Sequence, residues 1–127
     1  MKRIIFSLVV VIMSVVSMLA GEGAAIVFET KSHDFGTVKE ADGEVSCEFD
    51  FQNTGDEPLV ILDVRTSCGC TTPDYPRDPI APGKMGKIKV TYNPNGRPGE
   101  FERTVKIFTN AKKRITLKVT GVVVPKN

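Results

Sequence analysis

The sequence of 127 residues has no tryptophan, one histidine and three cysteines, and its 17 lysines and arginines nearly balance 15 aspartates and glutamates. Each shortage closes off a class of reading. Without tryptophan, and without the paired-cysteine spacing that accompanies it, the chain lacks the tryptophan-on-disulfide core of an antibody domain. With His33 as the sole imidazole, a Ser-His-Asp arrangement has one possible base, and no motif surrounds it. No glycine-rich phosphate loop and no segment of paired carboxylates occurs. An Asp34-Phe35-Gly36 triplet is present, but the catalytic loop and chain length of a kinase are not. These shortages point away from hydrolytic and transfer enzymes. No window carries a helical period, which argues against a helical domain.

The first residues differ from the rest. Lys2 and Arg3 precede an apolar run from Ile4 to Leu19, broken only by serines, and small residues follow through Ala25. A charged head, an apolar centre and a small-residue exit are the parts of a secretory signal peptide. The run is shorter than the roughly 20 residues of a spanning helix. The expected organisation is a signal peptide over 1–25 and one domain over 26–127, with cleavage after Ala25, or else after Ala20 or Gly23. No cysteine lies near this junction, so a lipid anchor is not expected. The expected location is the periplasm or the extracellular space, without stable membrane insertion after cleavage. With Lys2, Arg3 and Glu22 set aside, 15 basic and 14 acidic residues remain. That near-neutral balance is no footprint for nucleic acid. The one basic run, Lys112-Lys113-Arg114, is read as a solvated turn.

What is there is strand pattern. Ile26-Val27-Phe28 opens a strand that Ser32 to Val38 continues or re-enters, with Gly36 marking a kink or bulge. From Glu44 to Gln52, Val45, Cys47, Phe49 and Phe51 alternate with polar residues, the period-two signature of a half-buried strand. Asn53 to Pro58 is a turn signal. Leu59 to Val64 is nearly all apolar, which predicts burial on both faces or a place in the sandwich centre. Pro73 to Gly83 carries four prolines and predicts an irregular loop, because proline cannot donate to a sheet ladder. Ile88, Val90 and Tyr92 alternate next, then Val105 and Ile107, then Ile115, Leu117 and Val119. About seven strands joined by Gly, Pro and Asn turns predict an all-β, immunoglobulin-like antiparallel β-sandwich.

That strand order places the chemistry. The loop after the first strand, the loop holding Cys68 and Cys70, and the loop at Asn93 to Glu100 are expected to share one end. Loops at a common end are where such sandwiches bind. Arg97, Arg77 and Asp78 are the expected neighbours of the cysteines and the binding-loop candidates.

Five ordered motifs carry a resemblance: His33-Asp34-Phe35-Gly36-Thr37-Val38, Phe49 to Gly55, Ser67-Cys68-Gly69-Cys70-Thr71, Pro79-Ile80-Ala81-Pro82-Gly83, and Asn95-Gly96-Arg97-Pro98-Gly99. Together the chain resembles the bacterial domain-of-unknown-function 1573 family (DUF1573). The resemblance implies an exported immunoglobulin-like domain related in architecture to PapD-like and ASH-type sandwiches, and no established activity. Cys47 departs from the family pattern.

Four readings of the cysteines stay open. Cys68 and Cys70 bond to each other in a small ring, for which Gly69 would permit the turn and whose strain would ease reduction. Alternatively Cys47 bonds to Cys68 or Cys70 across the sheets, against a register mismatch of about 13 Å. A third reading has the pair bind copper or zinc, with Cys47 or His33 as a further ligand. In the fourth the thiols are packing residues, which suits the inward-facing Cys47. His33 is more simply a strand residue than a ligand. The preferred function is a non-enzymatic, exported binding or structural module with an envelope protein as partner and no cofactor. The alternative is an envelope thiol-disulfide or copper- or zinc-handling protein using Cys68 and Cys70.

Overall fold

A computed structural model describes residues 23–126. Among these residues, eight strands form two four-stranded sheets, confirming the immunoglobulin-like sandwich. They are β1 (Ile26–Phe28), β2 (Ser32–Lys39), β3 (Val45–Asn53), β4 (Ile61–Thr66), β5 (Thr71–Asp74), β6 (Met85–Tyr92), β7 (Gly99–Thr109) and β8 (Ile115–Val124). The first sheet has the order β1-β3-β6-β5 and the second β2-β8-β7-β4. The only helical element among the described residues is a 3-10 turn, Glu40–Asp42. The expected signal peptide falls largely outside the described residues. Gly23 to Ala25, its proposed last three, are described and are hydrogen-bonded to the turn after β3 through Asp56 and Thr54.

Side-chain alternation builds the core. Cys47, Phe49 and Phe51 of β3 point inward beside Val90, Ile88 and Gly86 of β6 in antiparallel register. From the second sheet come Phe101, Val105 and Ile107 of β7 and Ile115, Leu117, Val119 and Val123 of β8. Each fully buried large side chain stabilises the fold by about 1.5–3 kcal/mol. Gly121 faces Phe101 across the ladder, and a Cβ there would lie 2.7 Å from the Phe101 ring. The missing side chain leaves that ring room to stack on Tyr92 at 3.9 Å between centroids, 7° from parallel.

The first strand pattern divides between the sheets. β1 pairs with β3, and after Glu29 to Lys31 the chain re-enters as β2 in the other sheet, parallel to β8. The bulge expected at Gly36 is present: the β2–β8 register shifts between Asp34 and Thr37, and Gly36 has φ +70°.

Two expectations are corrected. Leu59 to Val64 does not run through the middle of a sheet, because β4 is an outer strand and Leu62 is 63% exposed. A register shift between Ile61 and Asp63 breaks the alternation. It lets Ile61 and Val64, three apart, both face the core while Leu62 points out. The proline-rich segment is not all loop either, since Thr71–Asp74 forms β5 at the border of the first sheet. Pro73 sits in an outer strand, where its missing N–H leaves one ladder intact.

Candidate functional site: the disulfide pole

β4 brings the chain to one end of the sandwich. Ser67 extends its pairing by one residue, donating its N–H to Thr104 O (3.0 Å) and accepting Thr104 N–H on Oγ (3.0 Å). The chain then turns through Cys68-Gly69-Cys70-Thr71, closed by Thr71 N–H to Cys68 O at 3.1 Å. Thr66 Oγ1 donates to the same carbonyl at 2.9 Å. The turn brings the two cysteines together, with Cα atoms 5.2 Å apart and the sulfurs bonded at 2.02 Å. Of the four sequence readings, the structure adopts the Cys68–Cys70 bond. Gly69, however, is not in the left-handed region, and a Cβ on it would meet nothing within 4 Å. The turn does not need glycine.

The two sulfurs have unlike surroundings. Cys70 is 5% exposed and packs in the core, whereas Cys68 is half-buried at its margin. Cys68 Sγ accepts the Cys70 N–H at 3.1 Å. Cys70 Sγ lies 3.7 Å from Oγ1 of Thr71, a hydroxyl that is itself buried. Cys47 stays a free thiol, inward-facing on β3 opposite Val90, and burial pushes its pKa up to about 11. His33 is an exposed residue of β2 with its ring edge-on to Phe35 at 4.7 Å. Among the described residues, no group of three or more histidines, cysteines or carboxylates is gathered where it could hold a metal ion.

The expected convergence of three loops is present. Asn93 N–H donates to Cys70 O at 2.9 Å, tying the β6–β7 loop to the disulfide turn. In that loop Arg97 N–H closes onto Pro94 O, and the Arg97 side chain is exposed. Gly96 N–H donates to Glu40 Oε2 at 2.6 Å, which fastens the same loop to the β2–β3 connection. Glu40 Oε1 accepts Lys126 N–H at 3.2 Å and so also holds the C-terminal segment. These backbone donors, Gly96 first and Lys126 second, hold the Glu40 carboxyl below its ordinary value. Arg77 and Asp78 do not join this end. β5 starts beside Tyr92 and runs away from the disulfide to Asp74, opposite Lys89. Beyond it, Arg77 lies on the Tyr75 ring at 4.1 Å, and Ile80 bonds to Leu59 at the other end of the sandwich. The sequence misplaces Arg77 and Asp78 because the prolines around Thr71–Asp74 predict a loop where β5 runs. It also misses Glu40 and Asn93, whose roles depend on contacts across the fold, and the Thr71 hydroxyl, though Thr71 adjoins the cysteine motif.

The family model described as "Protein of unknown function (DUF1573)" matches residues 26–123. Among curated proteins none matches the sequence. Of the solved structures, a protein of unknown function from Porphyromonas gingivalis W83 is similar with a TM-score of 0.68 and 18% identity, over 81% of this chain and 48% of that one. The VesB protease of Vibrio cholerae gives 0.60 and 13%, over 80% of this chain and 32% of that one. The ASH / PapD-like domain 7 of human CEP192 gives 0.62 and 12%, over 80% of this chain and 87% of that one. The chain thus spans about half or less of the first two. At these identities the likeness is one of fold.

Proposed function

We propose that this chain, which belongs to the DUF1573 family of proteins of unknown function, is a non-enzymatic binding or structural module of the cell envelope that meets a protein partner through the loops at its disulfide pole. The carrying observation is the fastening of three exposed loops from distant parts of the chain into one surface. The disulfide turn, the Asn93 to Pro98 loop and the Glu40–Asp42 turn are held by Asn93 to Cys70 and Gly96 to Glu40 bonds. A surface ordered before binding loses less entropy on association.

The sheet borders support the same choice by offering little. An unpaired strand invites another chain, and natural sheets guard against it with bulges, prolines, charges and short strands. Here β2 and β4 are bulged, β5 carries Pro73, β1 has three residues, and β4 carries an Asp63–Arg65 pair at 2.9 Å. Strand addition is therefore the lesser mode. Export rests on the Lys2-Arg3 head and apolar run of the sequence. Among the described residues, no helix is long and apolar enough to cross a membrane.

The test is site-specific photo-cross-linking in the envelope with a probe at Arg97, and control probes at Asp78 and Met85. The expected result is a discrete protein adduct from position 97 that the controls lack. Adducts of equal yield from all three positions, or none from position 97, would count against a binding pole.

A further inference from the structure

The disulfide is placed asymmetrically, and that asymmetry has chemical content. Thiol–disulfide exchange begins when a thiolate attacks one sulfur while the other leaves with the bonding electrons, so access and leaving-group stabilisation choose the direction. Cys68 is half-buried at the rim of the pole, while Cys70 is buried in the core with the Thr71 hydroxyl at 3.7 Å from its sulfur. We propose that the Cys68–Cys70 bond is a thiol-exchange site in which an external thiolate attacks Cys68 Sγ and Cys70 Sγ departs onto the Thr71 hydroxyl. This stands apart from the partner-binding reading and uses different atoms of the same pole.

The sulfur of the incoming thiolate, a small thiol or an envelope protein dithiol, forms a bond to Cys68 Sγ. The Cys68–Cys70 bond breaks, and its electron pair goes to Cys70 Sγ, which accepts a hydrogen bond from Thr71 Oγ1 and then takes a proton from solvent. A mixed disulfide at Cys68 and a thiol at Cys70 result. A second thiolate can release Cys68, leaving both cysteines reduced and the two external thiols oxidised to a disulfide. In the return direction, Cys70 as thiolate attacks Cys68 Sγ of the mixed disulfide and expels the external thiol, restoring the bond. Cys47 takes no part: its thiol faces the core from β3 beside Val45 and Phe49, and burial pushes its pKa up and keeps it protonated. The exchange is confined to one pair, with Cys68 the outward half and Cys70 the inner, resolving half.

Opening the bond also reaches the neighbouring loop. Cys70 O holds Asn93 N–H, and Cys68 O holds both Thr71 N–H and Thr66 Oγ1. Redox state is thereby linked to how firmly the β6–β7 loop is held.

The experiment uses the oxidised full chain under native conditions with reduced glutathione as the probe. The mixture is quenched early with an alkylating reagent. Trypsin releases Thr66 to Arg77 as one peptide, and fragmentation between the cysteines locates each group. Glutathione on Cys68 with the alkyl group on Cys70, in about tenfold excess over the reverse, is expected from the difference in access. Glutathione mainly on Cys70, an even split, or opening only in unfolding concentrations of denaturant would overturn the proposal. A second readout addresses Thr71. Thr71→Val is expected to slow opening several-fold while Thr71→Ser restores it, with folding checked by circular dichroism. Equal rates for the folded Val and Ser variants would remove the hydroxyl from the mechanism.

Discussion

At one end of the sandwich a single buried carboxamide holds the turns together, and at the other a backbone hydrogen bond to the disulfide turn and a surface carboxylate do so. Asn53 is fully buried at the end of β3. Its Nδ2 donates to Glu57 O at 2.8 Å and Ile80 O at 2.9 Å, and its Oδ1 accepts Gly55 N–H at 3.0 Å and Ala25 N–H at 3.3 Å. One side chain thereby joins the segment before β1, the β3–β4 turn and the proline-rich loop. The disulfide pole reaches the same end differently, because its loops are exposed and their fastenings, Glu40 above all, lie near solvent. Buried polar groups are costly to leave unpaired, whereas exposed ones have water as a substitute. The first end is therefore built for stability. The second keeps ordered loops at the surface, with Cys68 half-buried among them.

The contrast is broken most directly by Asn53→Ala. It strips four hydrogen bonds made by a fully buried side chain, and unmade buried groups cost about 1–3 kcal/mol each. A loss of at least about 3 kcal/mol is expected, with a lowered urea midpoint and an unchanged slope. A loss below about 1 kcal/mol would mean that water replaces the carboxamide, and the two ends would no longer differ in kind.

Glu40→Gln probes the other end and should do less. The Glu40 carboxyl is held below its ordinary value of 4.5 by the Gly96 and Lys126 N–H groups. A group whose folded pKa is depressed contributes stability above its unfolded pKa and loses it as pH falls through the folded value. The melting temperature of the parent should therefore exceed that of Glu40→Gln at neutral pH. The gap should close on acidification below 4.5 and narrow with added salt, since the group lies near the surface. A gap that is constant from neutral to acid pH would assign the role of Glu40 to its shape instead of its charge.

What the sequence made legible follows from range. Alternation is local, so β3, β6, β7 and β8 and their inward residues were visible, including the placement of Cys47 between Val45 and Phe49. The bulge at Leu62 destroyed the parity that would have marked β4 as an outer strand. The prolines concealed β5, and with it the fact that Arg77 and Asp78 lead away from the disulfide. Asn53 was visible only as a turn former. Its partners Ile80 and Ala25 lie 27 and 28 residues away, and no local pattern reports them. The cysteine spacing admitted four outcomes because spacing carries no information on side-chain direction.

Gly69 is where sequence reasoning and geometry part most sharply, and it carries the smallest expected effect. A glycine between two bonded cysteines invites the view that only glycine fits. Its backbone is outside the left-handed region and its Cβ position is open. Replacing glycine with alanine at such a compatible site restricts the unfolded chain, so Gly69→Ala should raise stability by about 0.5 kcal/mol. Gly96, in the adjoining loop, makes the natural counterpart, because its φ of +71° is one that side chains resist. Gly96→Ala should cost about 1 kcal/mol. Parallel urea titrations of the two variants should move in opposite directions. If both lost stability equally, the disulfide turn would need the freedom of glycine after all, and its order would rest on Gly69 as much as on the Cys68–Cys70 bond.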